Sequence, residues 1–229
     1  MLVDVMKPLK VIFKKESLLN LFIFSIVNIL NTSAFFLPYS KNHIPATIFY
    51  CITFFLLVGY VIETTYLYIS NNCEEIKLPT WNINIIKYFK YSFSFLFILL
   101  IFELIFSPIY LIHLKWLSII LQLLCVFTFS IIGPCSAVIY AKNLKIKEAL
   151  NYKTYYQLIK NNLKKFILTY ILTTTFFIIL IILSSILNSP LIGLKIGLIS
   201  FYISNYILFI GDFLIILLYS QLFQKERTN

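Results

Sequence analysis

Residues Gly59–Lys90 read GYVIETTYLYISNNCEEIKLPTWNINIIKYFK, and the fold turns on how this stretch is read. It leaves an apolar run at Gly59-Tyr60, crosses a short acidic loop at Glu74-Glu75 and turns at Leu78-Pro79-Thr80-Trp81. A basic amphipathic segment follows and runs into the next apolar stretch. Proline pushes Leu78 toward an extended conformation and cannot continue a helix behind it. Thr80 can then cap the new helix, and Trp81 can anchor it at headgroup level. Leu78, Pro79 and Trp81 are therefore expected to form a corner at a membrane surface, with no catalytic role.

Composition fixes the class. The chain is 60% hydrophobic and 12% charged, with a mean hydropathy of +0.91, whereas a soluble domain is about 25% charged. Apolar runs of about 20 residues, enough to cross a ~30 Å hydrocarbon layer, recur along it. The expectation is one all-α integral membrane domain, 1–229, with six transmembrane helices. They are placed at Leu18–Leu37, Ala46–Tyr68, Tyr91–Ile112, Leu117–Tyr140, Phe166–Leu187 and about Lys195–Leu218. Lysines ahead of the first run, with Thr32-Ser33-Ala34 near its end, could mimic a cleaved signal peptide. Apolar residues resume at once in Ala34–Leu37, which favours an uncleaved span.

Charge gives the orientation. Lysines and arginines number four in 1–17, three in 69–90, seven in 141–165 and two in the tail, sixteen in all, against three in the alternate loops. This asymmetry places both termini in the cytoplasm and the protein in the cell membrane. The net charge of +10 lies in short loops beside apolar spans. Anionic headgroups at the cytoplasmic face are thus the expected acidic partner, and nucleic acid is not. A membrane-protein partner or a homo-oligomer is also admitted. The four cysteines form no CxxC and have no histidine near them in sequence, so they read as free thiols.

A threefold internal repeat is expected. Gly59, Gly133 and Gly211 fall near the cytoplasmic ends of the even-numbered spans, 74 and 78 residues apart, in a chain of only five glycines. Lys10-x-x-x-Lys14-Lys15 and Lys160-x-x-x-Lys164-Lys165 precede the first and fifth spans. The units are roughly 1–72, 73–146 and 147–229, each an interfacial amphipathic helix followed by a transmembrane hairpin. In the third unit Tyr152, Tyr155, Tyr156, Ile159, Leu163 and Phe166 share one helical face, with Leu158 and Asn162 as exceptions. In the second, Ile85, Ile86 and Phe89 oppose Asn84, Lys87 and Lys90. The repeat glycines, with Gly197, are expected to face inward and pack helices closely, since a missing Cβ lets backbones approach.

Gly59-Tyr60 followed by Leu78-Pro79-x-Trp81 resembles the pattern of an uncharacterised prokaryotic membrane family, domain of unknown function 4013. Lys147-Glu148-Ala149, continuing to Asn161-Asn162 and the apolar run after Lys165, is similar as well. Two features depart from that pattern: Glu63 stands where a basic residue is usual, and Phe89-Lys90-Tyr91 lacks a glycine. The resemblance implies a polytopic fold and no particular activity.

Chemistry is sparse. No HExxH, GxSxG, P-loop or paired metal-ligand motif occurs, so neither catalytic residues, nor a cofactor, nor a metal site is expected. The intramembrane carboxylates Glu63, Glu103 and Asp212 remain, each costly against lipid. Glu63 is shallow enough to snorkel. Glu103, twelve residues into the third span and so about 18 Å along it, is the deepest. Glu103 and Asp212 are expected to point into the bundle, with Ser107, Asn28 or Asn31 as partners of Glu103. They serve either an ion- or proton-linked pathway or hydrogen-bonded packing. The reading reached is a non-enzymatic partner-binding or assembly subunit; the alternative is a small transporter or channel subunit using these carboxylates. In intact cells Cys73 is expected to resist impermeant thiol reagents and to label once the inner face is opened. Labelling from outside would reverse the orientation.

Overall fold

A computed structural model describes residues 3–14, 17, 19, 22–23, 26, 43–70, 85–108, 115–187 and 198–223. Among these it is helical throughout: α1 (Met6–Ile12), α2 (His43–Ser70), α3 (Ile85–Phe106), α4 (Lys115–Asn143), α5 (Ile146–Ala149), α6 (Tyr152–Asn161), α7 (Leu163–Leu187) and α8 (Leu198–Ser220). Helices satisfy every backbone donor and acceptor within the segment, which a hydrocarbon surrounding demands. Four of them, α2, α3, α4 and α7, contain segments long and apolar enough to cross a membrane. The apolar stretch Tyr206–Ser220 of α8 is shorter. Of the expected first span Leu18–Leu37, the residues Leu19, Phe22, Ile23 and Ile26 are described, all helical and exposed. Asn28 and Asn31, the corner Leu78, Pro79 and Trp81, Cys73 and Gly197 lie outside the described residues.

The boundaries of α3 correct the sequence reading. The helix runs from Ile85, six residues before the expected Tyr91, and stops at Phe106, six before the expected Ile112. Pro108 follows, with no N–H to continue a helix and a ring that disfavours helical backbone at Ser107. Lys87 and Lys90 thus lie in the first turns of a continuous long helix, where a separate interfacial helix was expected. Ile86 points away from the protein, 78% exposed, while Phe89 stacks on Phe55 of α2 at 5.8 Å between ring centroids.

Helices α2, α4 and α8 each touch the other two and form the centre; α3 packs on α2 and α7 on α8. Of the four long helices α2 is the most enclosed, with 56% of its apolar segment buried against 22% for α3. The short α1 tucks Val11 and Ile12 against the end of α8, in one cluster with Phe213, Leu214 and Leu217. There the Asp4 N–H donates to Gln221 Oε1 at 2.9 Å, and Gln221 Nε2 donates to the Asp4 carbonyl at 2.6 Å. This two-way amide clasp brings the N-terminal segment to the C-terminal end of α8.

The repeat glycines do not behave alike. At Gly59 a Cβ would lie 2.6 Å from both the Cα and the carbonyl carbon of Tyr88, so α2 and α3 meet backbone to backbone. One turn back on α2 and one turn on along α3, the Ser92 hydroxyl donates to the Phe55 carbonyl. That pairing is the register of an antiparallel hairpin. At Gly211 a Cβ would overlap the flexible Leu180 side chain of α7. At Gly133 nothing lies within 4 Å of a Cβ, so its expected role in close packing is overturned. The next residue, Pro134, stands inside α4 and leaves room there where its neighbours pack tightly.

Gly59→Ala is expected to destabilise the detergent-solubilised protein by about 1–3 kcal/mol, the usual cost of overpacking, because the obstacle is a backbone that cannot rotate away. Gly133→Ala should leave the thermal midpoint unchanged or raise it, since alanine favours helix by about 1 kcal/mol. Equal effects of the two substitutions would contradict this packing.

Candidate functional site

Glu63 does not snorkel. It is 4% exposed, on the face of α2 turned toward the start of α3, and Lys87 Nζ donates to its Oε1 at 2.7 Å. The lysine also lies over the Tyr91 ring, 5.5 Å from its centroid. The register set at Gly59 explains the contact: Lys87 precedes Tyr88, and its long stem reaches back along α2 to the residue one turn beyond the glycine. Glu63 Oε2 is buried without a hydrogen-bond partner among the described residues. This half-satisfied carboxylate depends on one lysine for its charge balance. A buried charge left alone is far more costly than a paired one.

Glu103 corrects the sequence reading in the opposite sense. Its side chain is exposed, beside the outward-facing Leu100, Leu104 and Ile105. Because α3 begins at Ile85, Glu103 lies eighteen residues along it, about 27 Å from the start, and three residues from its end. It therefore belongs to the far end of the helix and not to its middle. Ser107, its expected partner, donates to the Leu104 carbonyl instead.

Asp212 lies where helices leave a gap. A cavity of about 480 Å³ is walled by α3, α4, α7 and α8, with Asp212, Ser130, Tyr170, Thr173 and Thr174 among its lining residues. Gly133 and Pro134 contribute the α4 wall. Proline has no N–H to give the carbonyl four residues back, so the Ser130 carbonyl loses its helical donor at the edge of the same space. The Ser130 hydroxyl turns to the Phe127 carbonyl, 2.7 Å away, and the Thr173 hydroxyl to the Tyr170 carbonyl, 3.1 Å away. Asp212 is exposed to this space, as are Ser130, Thr174 and Phe177, so the cavity opens at the side of the bundle. No described residue pairs with the Asp212 carboxylate.

The third polar region is the segment that joins α4 to α7. Leu144 closes α4 with φ 54°, its N–H donating to the Tyr140 carbonyl at 2.6 Å. Asn143 Nδ2 donates to Glu148 Oε2, and Lys145 stands 3.9 Å from the same carboxylate. The side chain of Asn151 caps α6 by accepting from the Lys153 N–H at 3.0 Å. Tyr155 donates to the Ala149 carbonyl at 2.6 Å. Burial holds its phenol above the ordinary tyrosine range, so it remains a neutral donor. The face that packs is Leu158 with Tyr155 and Ile159. Tyr152 and Tyr156 are 74% and 62% exposed. Sequence periodicity puts these aromatics on one face turned to the headgroup layer, with Leu158 as an exception; of that face Tyr155 and Ile159 pack with Leu158 on the bundle, and Tyr152 and Tyr156 stay exposed. Asn162, the other exception, marks the break between α6 and α7.

Among the described residues no group of three or more His, Cys, Asp or Glu side chains is placed to hold a metal ion. Sequence reasoning missed Lys87 as the partner of Glu63 and missed the cavity around Asp212. Gly133-Pro134 inside an apolar run, with Ser130 one turn before it, was the available signal for the cavity. No protein-family model matches this chain, and neither a curated protein nor a solved structure matches it.

Lys87→Met is expected to destabilise the protein by about 1.5–3 kcal/mol, the range for hydrogen bonds to charged groups, because it strands the Glu63 carboxylate. Adding Glu63→Gln should recover most of that loss in a double-mutant cycle read by thermal unfolding in detergent. Additive losses would mean that the pair is not coupled.

Proposed function

We propose that the protein is a non-enzymatic multi-pass membrane subunit that holds a partner at the basic end of its helical bundle. The reading includes six spans in the cell membrane, with the first in the run Leu18–Leu37. It also places both termini and the segment 141–165 on the cytoplasmic side. Three observations support that placement. The clasp between Asp4 and Gln221 holds the segment before α1 beside the end of α8; Leu222 packs in one cluster with Ala149 and Leu158; and sixteen of nineteen lysines and arginines belong to segments of this side. The contacts among α2, α4 and α8 are those a threefold arrangement of hairpins would need, although Gly133 departs from the packing at Gly59 and Gly211.

The observation that carries the reading is the build of 143–162. Capping, an ion pair and the Tyr155 bond fix this segment before any partner arrives, and preorganisation removes much of the entropic cost of binding. It holds Tyr152 and Tyr156 outward beside Lys153 and Lys160, with Lys160 Nζ 5.7 Å from the Tyr156 ring centroid. Exposed tyrosine beside lysine suits the headgroup layer and an acidic protein surface lying against it. Anionic lipid seats this edge, and the partner covers it. A second reading, a small transporter or channel subunit, is favoured by one feature, the cavity that reaches Asp212; Glu103 contributes nothing to it.

A photoreactive phenylalanine in place of Tyr156 is expected to cross-link one discrete protein in native membranes. Lys153→Glu with Lys160→Glu should abolish the adduct while leaving the protein folded. Cross-links to lipid alone would overturn the partner reading.

A further inference from the structure

The cavity beside Asp212 has a chemistry that the surface reading does not use. Its walls are mostly apolar, with Phe95, Leu99, Phe177 and Ile216 among them, and among the described residues Asp212 is the one charged side chain that lines it. Its volume of about 480 Å³ lies within the range of pockets that enclose small organic molecules, roughly 300–1,000 Å³. The mouth is bordered by the exposed Ser130, Thr174 and Phe177, on the flank of helices whose neighbouring side chains, Phe127 and Ile178, are also exposed. With these helices set in a bilayer, this mouth faces the lipid.

We propose that this cavity binds a monocationic amphiphile, its cationic head against Asp212 and its apolar body against the aromatic and aliphatic walls. Three physical points select this class. An unpaired carboxylate at bilayer depth is costly, and a cation that arrives with its own apolar body supplies the missing charge without demanding water. A bare metal ion would need a set of anionic or closely spaced oxygen ligands, whereas the side chains around Asp212 are hydroxyls, two of which already donate to their own helix backbones. An anion would meet the carboxylate as a like charge. The oxygens of Tyr170, Thr174 and the released Ser130 carbonyl can turn partial negative charge toward a cationic head, which adds to the attraction of Asp212. The absent side chain at Gly133 keeps the space open, since a Cβ there would meet nothing within 4 Å.

The test uses two ions of the same shape and opposite charge, radiolabelled tetraphenylphosphonium and tetraphenylborate. Equilibrium binding is measured on the purified full chain in maltoside micelles. The wild type is expected to bind the phosphonium saturably and to favour it over the borate. Asp212→Asn should weaken phosphonium binding about tenfold or more, equivalent to 1.4 kcal/mol, and Asp212→Glu should keep it. Gly133→Leu, whose Cβ enters empty space at the cavity wall, should block binding without lowering the thermal midpoint. Should Asp212→Asn fail to fold, the Gly133→Leu and Asp212→Glu variants decide. Equal binding of the two ions, or unchanged phosphonium affinity in Asp212→Asn or Gly133→Leu, would overturn the proposal and leave an apolar groove filled by lipid chains.

Discussion

Two helix backbones can meet only where a side chain is missing, and at Gly59 the peptide of Tyr88 takes the place of a Cβ. Lipid supplies no hydrophobic force between helices, so close van der Waals approach of this kind has to hold them together. The consequences run outward along both helices. One turn in one direction, Ser92 reaches the Phe55 carbonyl and Phe55 stacks on Phe89. One turn in the other, Lys87 meets Glu63. Tyr60, next to the glycine, is fully enclosed between the rings of Tyr88 and Phe213 and so carries the contact from α3 to α8. The central position of α2 follows from these neighbours on both sides.

Polar groups divide according to what the packing leaves them. Glu63 sits where helices are tightest and is neutralised within the protein by one lysine. Asp212 sits beside the cavity, where α4 carries Gly133-Pro134, and has no such partner among the described residues. The same cost of an ionised group in a low dielectric thus produces a structural ion pair in one place and an open acceptor in the other. Glu103 escapes the problem by lying near the end of α3.

Much of the architecture was legible in the sequence, because apolar run length directly reports what a bilayer requires. The helices α2, α4 and α7 fall close to the runs Ala46–Tyr68, Leu117–Tyr140 and Phe166–Leu187. The error at α3 has a physical origin: Lys87 and Lys90 looked like the end of hydrophobicity, yet their stems are apolar and Lys87 is turned to a carboxylate on the neighbouring helix. Once the helix starts at Ile85, the depth of Glu103 changes with it. Periodicity also could not choose between adjacent faces of α6, since tyrosine is stable both buried at a bundle end and exposed at an interface. The glycine spacing found positions of close approach at Gly59 and Gly211. It could not see that Pro134 makes the environment of Gly133 different. A lone aspartate in an apolar run marks a polar site, but only the convergence of four helices shows the space around it.

The central claim is that the α2–α3 register fixed at Gly59 organises the bundle, and cysteine cross-linking in membranes tests it most directly. In a background with the four native cysteines replaced, Phe55→Cys paired with Phe89→Cys should be joined rapidly by a short bismaleimide. Phe55→Cys paired with Phe97→Cys, two turns farther along α3 and facing outward, should not. Preferential joining of 55 to 97, or equal joining of both pairs, would place the helices in another register and contradict the account.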